Sequence, residues 1–402
     1  MNDIFIVLFF LSFLFVSFLT VTKIFDWKFI IFSGFILSIC YMTNAWDFAI
    51  YGLMLAIFTL LINFKKHGFD SLTKTILNGS LIIGCWYLFS LPFSLNFTPM
   101  VEGIKIADVH SPFYQLFILY GGFWLICLPF VIYLLFLLIK NISASRQIYK
   151  LKIKNYFSTS DIFVISLIIT ATLLVIIPEL IYIKDIYTFE YRRANTMFKL
   201  VYQAFIIYSL ASGYILIRLS QIIKSNFFIN FYKIIFSIIL SIHLIYPYFA
   251  IKSYYNNFEK YQGLNGFKYL QDIYPDNYQA ILWINKNIFG QPVMLEAVGD
   301  SYTTFNQVSS STGLPTVQGW IVHEWLWRGG YNTPKARADD VEKIYTSKNI
   351  TEIKNLIDKY QIKYIFVGSK EFEKYFKLNQ DNFIKLGAKV VFQSGKTIIY
   401  QL

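Results

Sequence analysis

The sequence is poor in charge and in cysteine. Only 15% of its 402 residues are charged, and the three cysteines, Cys40, Cys85 and Cys127, form no C-x-x-C pair. All three lie in apolar runs, so we expect buried thiols, with no disulfide framework and no zinc site. No P-loop, G-x-G-x-x-G or G-x-S-x-G motif occurs, so nucleotide-binding, dinucleotide-binding and hydrolase functions lose support.

Long apolar runs occupy most of the first 251 residues instead. The chain is 56% hydrophobic, and runs of about 17–25 apolar residues are long enough to cross a bilayer as helices. The sequence therefore predicts an α-helical polytopic membrane domain over 1–251 and a small soluble α/β domain over 252–402. Eight spans are expected, near 4–22, 28–43, 48–64, 76–94, 114–139, 161–183, 197–217 and 231–251.

The net charge of +12 follows the predicted loops rather than a nucleic-acid-binding surface, and no nucleic acid partner is predicted. Lysine and arginine collect after spans one, three, five and seven, which the positive-inside rule assigns to the cytoplasm. The protein is therefore expected in the plasma membrane as a multi-pass protein. Its N-terminus and its C-terminal domain would face outside.

One basic cluster contradicts that rule, because FEYRRANTMFKLVYQAF (189–205) begins on the predicted outer side. Helical spacings of three or four place its polar residues on one face, and such a stripe usually faces a bundle interior or a wet cavity. Arginine and lysine there suit an anion such as phosphate. Snorkelling toward lipid headgroups is the alternative. The candidate substrate-binding residues are Arg192, Arg193, Asn195, Lys199 and Gln203.

Carboxylates also occur on the predicted outer side. Asp47 lies at the start of the third span, and Glu190 directly precedes the arginines. We expect either of them to act as a catalytic carboxylate. A simpler account of Glu190 is an ion pair with Arg192 or Arg193. No metal site is predicted, although a divalent metal remains an open option for these carboxylates.

The tail contains a second polar segment, LEAVGDSYTTFNQVSSSTGLPTVQGWIVHEWLWRGG (295–330), between a predicted strand and a predicted helix. Loops of this length are commonly functional or disordered, and three tryptophans argue against disorder. Aromatic rings with acidic, basic and hydroxyl side chains are typical of sugar-binding loops. A lid packed on the membrane domain is the alternative. The candidate binding residues here are Asp300, His323, Glu324 and Arg328.

Four separated stretches resemble one family of membrane proteins. YRRANTMFKLVYQAF resembles the stretch R-M-N-T-x-F-K-x-Y-x-Q-A-W of the uncharacterised archaeal and bacterial YYY family, with Ala194 in place of Met and Phe205 in place of Trp. The others are NAWDFAIY, SPFYQLFILYGGFWL and EAVGDSYTTFNQVSSSTGLPTVQGWIVHEWLWRG. The tyrosine triplet that names the family is absent, along with the spans expected before it. The chain therefore resembles the C-terminal part of a member.

That family is similar to GT-C glycosyltransferases, and the resemblance implies a GT-C-like fold and a lipid-phosphate-linked sugar donor. The implied function is sugar transfer at the outer membrane face, with a polyprenyl-phosphate sugar and membrane lipid as partners. A separate chain supplying the missing spans is another implied partner. The alternative is a non-catalytic binding or scaffold protein of the cell envelope.

Overall fold

The computed structural model describes residues 26–97, 103–144, 157–185, 187, 189–259, 263–327 and 329–402. Contacts between Cα atoms divide the chain into two compact units, with the boundary between Ala250 and Ile251. We describe each unit by itself.

The first unit is mostly helical. Among the described residues, six of its helices are long and apolar enough to cross a membrane, and a seventh, α1, is apolar but has only 17 residues. Seven of the eight predicted spans thus coincide with helices, whereas the predicted span 4–22 lies outside the described residues. The helices are α1 (Trp27–Thr43), α2 (Ala45–His67), α3 (Ser71–Ser94), α4 (Phe113–Ala144), α5 (Thr159–Leu180), α6 (Ala194–Ile222) and α7 (Asn226–Tyr255).

A glycine lets α1 and α3 approach closely. A Cβ added at Gly34 would lie 2.4 Å from the Cβ of Cys85 and 3.0 Å from the carbonyl oxygen of Ile82. Lipid tails are as apolar as a leucine side chain, so membrane helices associate through such close van der Waals packing more than through hydrophobicity. Ile30, Leu37 and Ile82 form the small buried core of this contact.

A short antiparallel pair of strands corrects one predicted span. The helix expected over 161–183 ends at Leu180, and Ile181–Ile183 forms strand β2, which pairs with β1 (Ile104–Ile106). The β-branched residues on both segments favour an extended backbone. Pairing also satisfies backbone N–H and C=O groups that would otherwise need water.

Helices α5 and α6 form an antiparallel pair that is joined by an ion pair at each end. At one end Arg218 of α6 donates two hydrogen bonds of 2.9 Å to the Asp161 carboxylate of α5. At the other end Arg193, just before α6, lies 3.0 Å from the Glu179 carboxylate of α5. We call these the Arg218 end and the Arg193 end of the bundle.

The main core of the first unit lies along these helices. Ala171 and Leu174 of α5 and Ala204 and Ile215 of α6 are among the buried residues of one cluster, which also includes Ile50 of α2. Small residues at this contact allow the two backbones to lie close together. The same cluster extends to α4 and α7 through Phe130 and Tyr232, among others.

The second unit combines short helices with a four-stranded sheet of order β3–β4–β6–β5. Strands β3 and β4 are parallel, whereas β6 is antiparallel to both of its neighbours. Its elements are α8 (Lys268–Ile273), α9 (Pro275–Asn287), β3 (Val293–Leu295), α10 (Gln307–Thr312), α11 (Ile321–Trp327), α12 (Asn332–Thr346), α13 (Ile350–Tyr360), β4 (Ile362–Val367), α14 (Ser369–Lys374), α15 (Asp381–Lys385), β5 (Lys389–Ser394) and β6 (Thr397–Gln401).

Two local features shape this unit. The helical stretch 339–360 is interrupted between α12 and α13, and Asn349 caps α13 by accepting hydrogen bonds from two backbone N–H groups. The hairpin of β5 and β6 turns at Gly395, whose φ of +52° suits glycine. The carboxylate of Asp276 lies against this turn and accepts a hydrogen bond from Ser394.

Candidate functional site

The first residues of the polar stripe do not lie on the predicted helical face. Helix α6 begins at Ala194, so Arg192 and Arg193 precede it and do not share its face. A short 3-10 turn, Phe189–Tyr191, carries Glu190 instead of continuing the helix. The prediction that Arg192 lies on the same helical face as Lys199 and Gln203 is therefore wrong.

Arg193 belongs to a closed network at the Arg193 end. Its Nη1 donates to the Pro178 carbonyl oxygen at 2.7 Å and to Glu179 Oε2 at 3.0 Å. The same carboxylate accepts two hydrogen bonds of 2.7 Å, from the backbone N–H and the hydroxyl of Ser111. The Arg193 side chain is only 9% exposed. This arginine therefore holds α5, α6 and the segment before α4 together.

Arg192 forms a more exposed pair. Its Nη1 lies 3.0 Å from Asp108 Oδ2, and the Asp108 side chain is 59% exposed. Such a surface ion pair contributes little to stability. The expected pairing of Glu190 with an arginine is replaced by these two contacts, and Glu190 itself is exposed.

Asn195 and its neighbour connect the start of α6 to the segment after α5. Asn195 Nδ2 donates to Asp185 Oδ2 at 2.9 Å. The hydroxyl of Thr196 accepts the backbone N–H of Ile183 at 3.0 Å, which ties strand β2 to α6. Packing between these neighbouring segments explains both hydrogen bonds without a ligand.

Of the remaining predicted residues, Gln203 contacts α2 directly. The hydroxyl of Tyr51 on α2 donates to Gln203 Oε1 on α6 at 3.4 Å. Asp47 precedes Tyr51 by four residues, and Lys199 precedes Gln203 by four, so each lies one helical turn, about 6 Å, nearer the Arg193 end. We call Asp47, Tyr51, Lys199 and Gln203 the α2–α6 polar cluster; all four are half-buried.

Lys199 differs from both arginines. Within the described ranges, no carboxylate lies within 4.0 Å of its Nζ, which lies 5.6 Å from the centroid of the Phe198 ring. It borders the buried stripe of α6 that runs through Thr196, Leu200 and Ala204. A half-buried ammonium without a counter-ion is a favourable position for an anionic ligand.

The other candidates belong to the second unit. His323 and Glu324 lie on α11, and both line a cleft within this unit. Asp300 is exposed near the start of the long loop after β3. Arg328 lies outside the described residues. The predicted binding residues thus divide between the two units.

Two buried carboxylates support that long loop. Glu371 at the start of α14 accepts hydrogen bonds from the backbone N–H groups of Ala297 and Gly368, which links the segments that follow β3 and β4. Glu296 accepts from the N–H groups of Val308 and Ser309 at α10. Burial raises the pKa of Glu371 to about 7 and also raises the pKa of Glu296.

Metal ligation finds no support in the part of the chain that the structure describes. No three histidine, cysteine, aspartate or glutamate side chains in it lie close enough together to hold a metal ion. The predicted carboxylates Asp47 and Glu190 are not joined by a further ligand there.

Sequence reasoning missed two partners of the site. Tyr51 carried a usable signal, because it follows Asp47 at helical spacing in NAWDFAIY. Ser111 carried none, since its contact with Glu179 joins residues 68 positions apart. A lone serine in a loop does not indicate such a contact.

The family match covers the part of the chain that contains the polar cluster. Residues 1–154 and 134–208 match the family described as uncharacterized membrane protein (DUF2298), and together they make up just over half of the 402 residues. The chain belongs to this family. The expected kinship with an uncharacterised membrane protein family is thereby confirmed, and the DUF2298 match with the apolar helices makes this a multi-pass membrane protein.

The matched residues of this DUF2298 protein include all four members of the α2–α6 polar cluster and both arginines. The search of curated proteins finds no match to the chain. The family description names no activity, so the case for a function depends on the geometry of the site.

Proposed function

We propose that this DUF2298 protein is a GT-C-like membrane glycosyltransferase, or a subunit of one, that takes sugar from a polyprenyl-phosphate-linked donor. The α2–α6 polar cluster would hold the donor phosphate at the predicted outer membrane face. One observation carries the proposal: Lys199 is half-buried and has no carboxylate partner among the described residues, whereas Arg192 and Arg193 each have one.

The proposed roles follow from the chemistry of transfer. The bond between the sugar C1 and the phosphate oxygen breaks, and a bond from C1 to an acceptor hydroxyl oxygen forms. Negative charge then grows on the leaving phosphate, where the Lys199 ammonium would stabilise it. Asp47 would accept the proton of the acceptor hydroxyl. Tyr51 and Gln203 would hold the phosphate or the sugar through hydrogen bonds.

In this proposal Arg192 and Arg193 do not bind the donor phosphate directly. Each already faces a carboxylate, and breaking the Arg193 contact would leave Glu179 largely buried without its cation. They would set the position of α6 and of the cluster. Asn195 would do the same through Asp185.

Phosphate-dependent binding provides the direct test. The full-length protein in nanodiscs is titrated with a polyprenyl monophosphate and with the matching polyprenol, which lacks the phosphate. Wild type should prefer the phosphate, and Lys199→Ala should lose that preference. Lys105→Ala is the matched control, because Lys105 is an exposed lysine on β1 outside the cluster. Equal preference in Lys199→Ala and wild type would contradict the assignment.

Transfer then separates binding from chemistry. Asp47→Asn should keep the preference for phosphate but lose transfer of labelled sugar from a polyprenyl-phosphate hexose to a cell-envelope fraction. Loss of transfer without loss of binding is the signature of a group needed only in the chemical step. Normal transfer in Asp47→Asn would remove this residue from the mechanism.

A non-catalytic binding or scaffold role in the cell envelope is the second candidate. It is favoured by the closed ion pairs at the Arg193 end, where two of the three basic residues of the stripe are already neutralised. In that case the wild-type protein would bind polyprenol and polyprenyl phosphate equally well.

A further inference from the structure

The second unit contains an open cleft with a volume of about 630 Å³. Cavities of roughly 300–1,000 Å³ are typical of sites for small organic ligands. The walls come from α10, from the segment before α11 and from α11 itself. These segments follow β3, which pairs in parallel with β4, and open α/β sheets bind ligands beyond the carboxyl ends of their parallel strands.

The aromatic rings of Trp320 and His323 line the cleft, and Tyr302 lies next to both. The ring centroids of Trp320 and His323 lie 5.4 Å apart, and Tyr302 lies 5.8 and 5.2 Å from them. The Trp320 indole N–H donates to the carbonyl oxygen of Phe305 at 3.2 Å, so the ring is held in one orientation. Tyr302 is 86% exposed and has a φ of +61°, an uncommon and costly conformation for a bulky residue.

Polar groups also line the cleft. The hydroxyls of Ser309 and Ser310 donate to carbonyl oxygens in the same short segment, which leaves their lone pairs as acceptors. Asn306 is only 7% exposed and donates through Nδ2 to Gln318, but its Oδ1 has no hydrogen-bond partner within the described part of the chain. A buried polar atom without a partner is costly and calls for a ligand or water.

The charge of the cleft selects among ligands. Glu324 contributes a carboxylate, and the described lining residues include no lysine or arginine. Phosphate groups are bound by arginine, lysine or helix N-termini, so a phosphorylated ligand is disfavoured. A pyranose fits better, because it has an apolar C–H face for an aromatic ring and neutral hydroxyls for the polar wall.

Hydrogen bonds between residues 299–301 and residues 321–323 hold this arrangement before any ligand binds. The backbone N–H of Ile321 donates to Gly299 at 3.1 Å, and the Ser301 hydroxyl lies 2.5 Å from His323 Nδ1. Preorganised groups lose less entropy on binding, which favours affinity.

We propose that this cleft binds a neutral oligosaccharide, with one pyranose ring packed on Trp320 and its hydroxyls bonded to Ser309, Ser310 and Glu324. This carbohydrate site does not depend on the proposed transfer chemistry, and it adds a recognition role to the second unit.

The test uses the full-length protein in nanodiscs, because maltoside detergents would compete for such a site. Cellobiose, maltose and chitobiose are the probes, with glucose 1-phosphate as the charged comparator, and binding is followed by saturation-transfer NMR. We expect at least one disaccharide to bind more tightly than glucose 1-phosphate. Trp320→Ala should weaken that binding at least tenfold, while Trp320→Phe, which keeps a ring face, should retain most of it.

Two further variants keep the test decisive if Trp320→Ala folds poorly. Gly319→Ala retains the tryptophan, but its added Cβ would lie 3.2 Å from Glu324 Oε1, so binding should fall several-fold. Phe289→Ala removes an exposed aromatic that does not line the cleft and should bind as wild type does.

The proposal is overturned if wild type binds none of the disaccharides or binds only glucose 1-phosphate. It is also overturned if Trp320→Ala and Gly319→Ala both bind the disaccharide as tightly as wild type does. If the protein binds a disaccharide but shows no Lys199-dependent preference for polyprenyl phosphate over polyprenol, the proposed function is refuted and the carbohydrate site is retained. The reverse result would refute the carbohydrate site alone.

Discussion

The two units bury carboxylates in opposite ways. In the membrane unit Asp161 and Glu179 each face an arginine, because an isolated charge in an apolar medium is very costly. In the second unit Glu296 and Glu371 are buried with backbone N–H groups as their hydrogen-bond donors. The first arrangement fixes an ion pair, and the second leaves carboxyl groups whose charge depends on pH. Lys199 matches neither arrangement, which is why we propose that it binds a ligand.

The largest effect is expected from removing the arginine at the Arg218 end. The Asp161 side chain is 0% exposed and Arg218 is 29% exposed, so Arg218→Ala leaves a fully buried carboxylate without its cation. Breaking one partner of a buried pair costs about 3–5 kcal/mol. The free energy of unfolding by SDS titration should fall by that amount. Asp161→Ala combined with Arg218→Ala should recover part of the loss, and a single variant as stable as wild type would contradict this account.

The next effect concerns pH and the second unit. Burial raises the pKa of Glu371 to about 7 from an ordinary 4.5, so the folded state retains this proton over a range where the unfolded state has released it. The free energy of unfolding should therefore fall as pH rises from about 4.5 to about 7 and then level off. Glu296 acts in the same direction, because burial raises its pKa too.

Hydrogen exchange of peptides from residues 291–402, corrected for intrinsic rates, measures this dependence locally. Glu371→Gln should weaken it, since the glutamine does not titrate, and the part due to Glu296 should remain. Protection that increases between pH 4.5 and 7 would show that backbone donors outweigh burial at Glu371.

A smaller effect is expected at the Arg193 end. Glu179 is 15% exposed and keeps both hydrogen bonds from Ser111 when Arg193 is removed. Arg193→Ala should therefore cost less than Arg218→Ala, about 2 kcal/mol, which is typical of hydrogen bonds to charged groups. SDS titration of the two variants side by side gives the order, and the reverse order would mean that Ser111 contributes little.

The smallest effect on stability is expected from Lys199. Since no carboxylate partner is lost among the described residues, Lys199→Ala should change the free energy of unfolding by less than about 0.5 kcal/mol. The same variant should lose the preference for polyprenyl phosphate over polyprenol. A large loss of stability would indicate that Lys199 supports the fold rather than a ligand.

The sequence predicted the helices better than their connections. Apolar length alone located α2 and α3 within a few residues, because only helices satisfy their backbone groups in lipid. Strands β1 and β2 were missed, since three-residue strands have too little periodicity to identify them. Helical spacing correctly grouped Lys199 with Gln203, but it could not show that the helix begins only at Ala194.

Pairings between distant residues were the hardest part of the site to predict. Arg193 was expected to bind a ligand, yet it bonds Glu179 and Pro178, a contact set by how α5 and α6 pack. The cleft around Trp320 was indicated by composition, whereas Asn306 Oδ1, which has no hydrogen-bond partner among the described residues, emerged only from the folded loop. The finer roles of Asp47 and His323 stay predictions.

The ion pairs at both ends of α5 and α6 also fix the distance between these two helices of the membrane unit. Spin labels placed on these two helices should report one narrow distance, because Asp161–Arg218 and Glu179–Arg193 prevent sliding in either direction. Labels on α2 and α6 span a contact that includes the 3.4 Å hydrogen bond from Tyr51 to Gln203. A ligand-dependent change in the second distance, with the first unchanged, would therefore measure the movement of α2 alone.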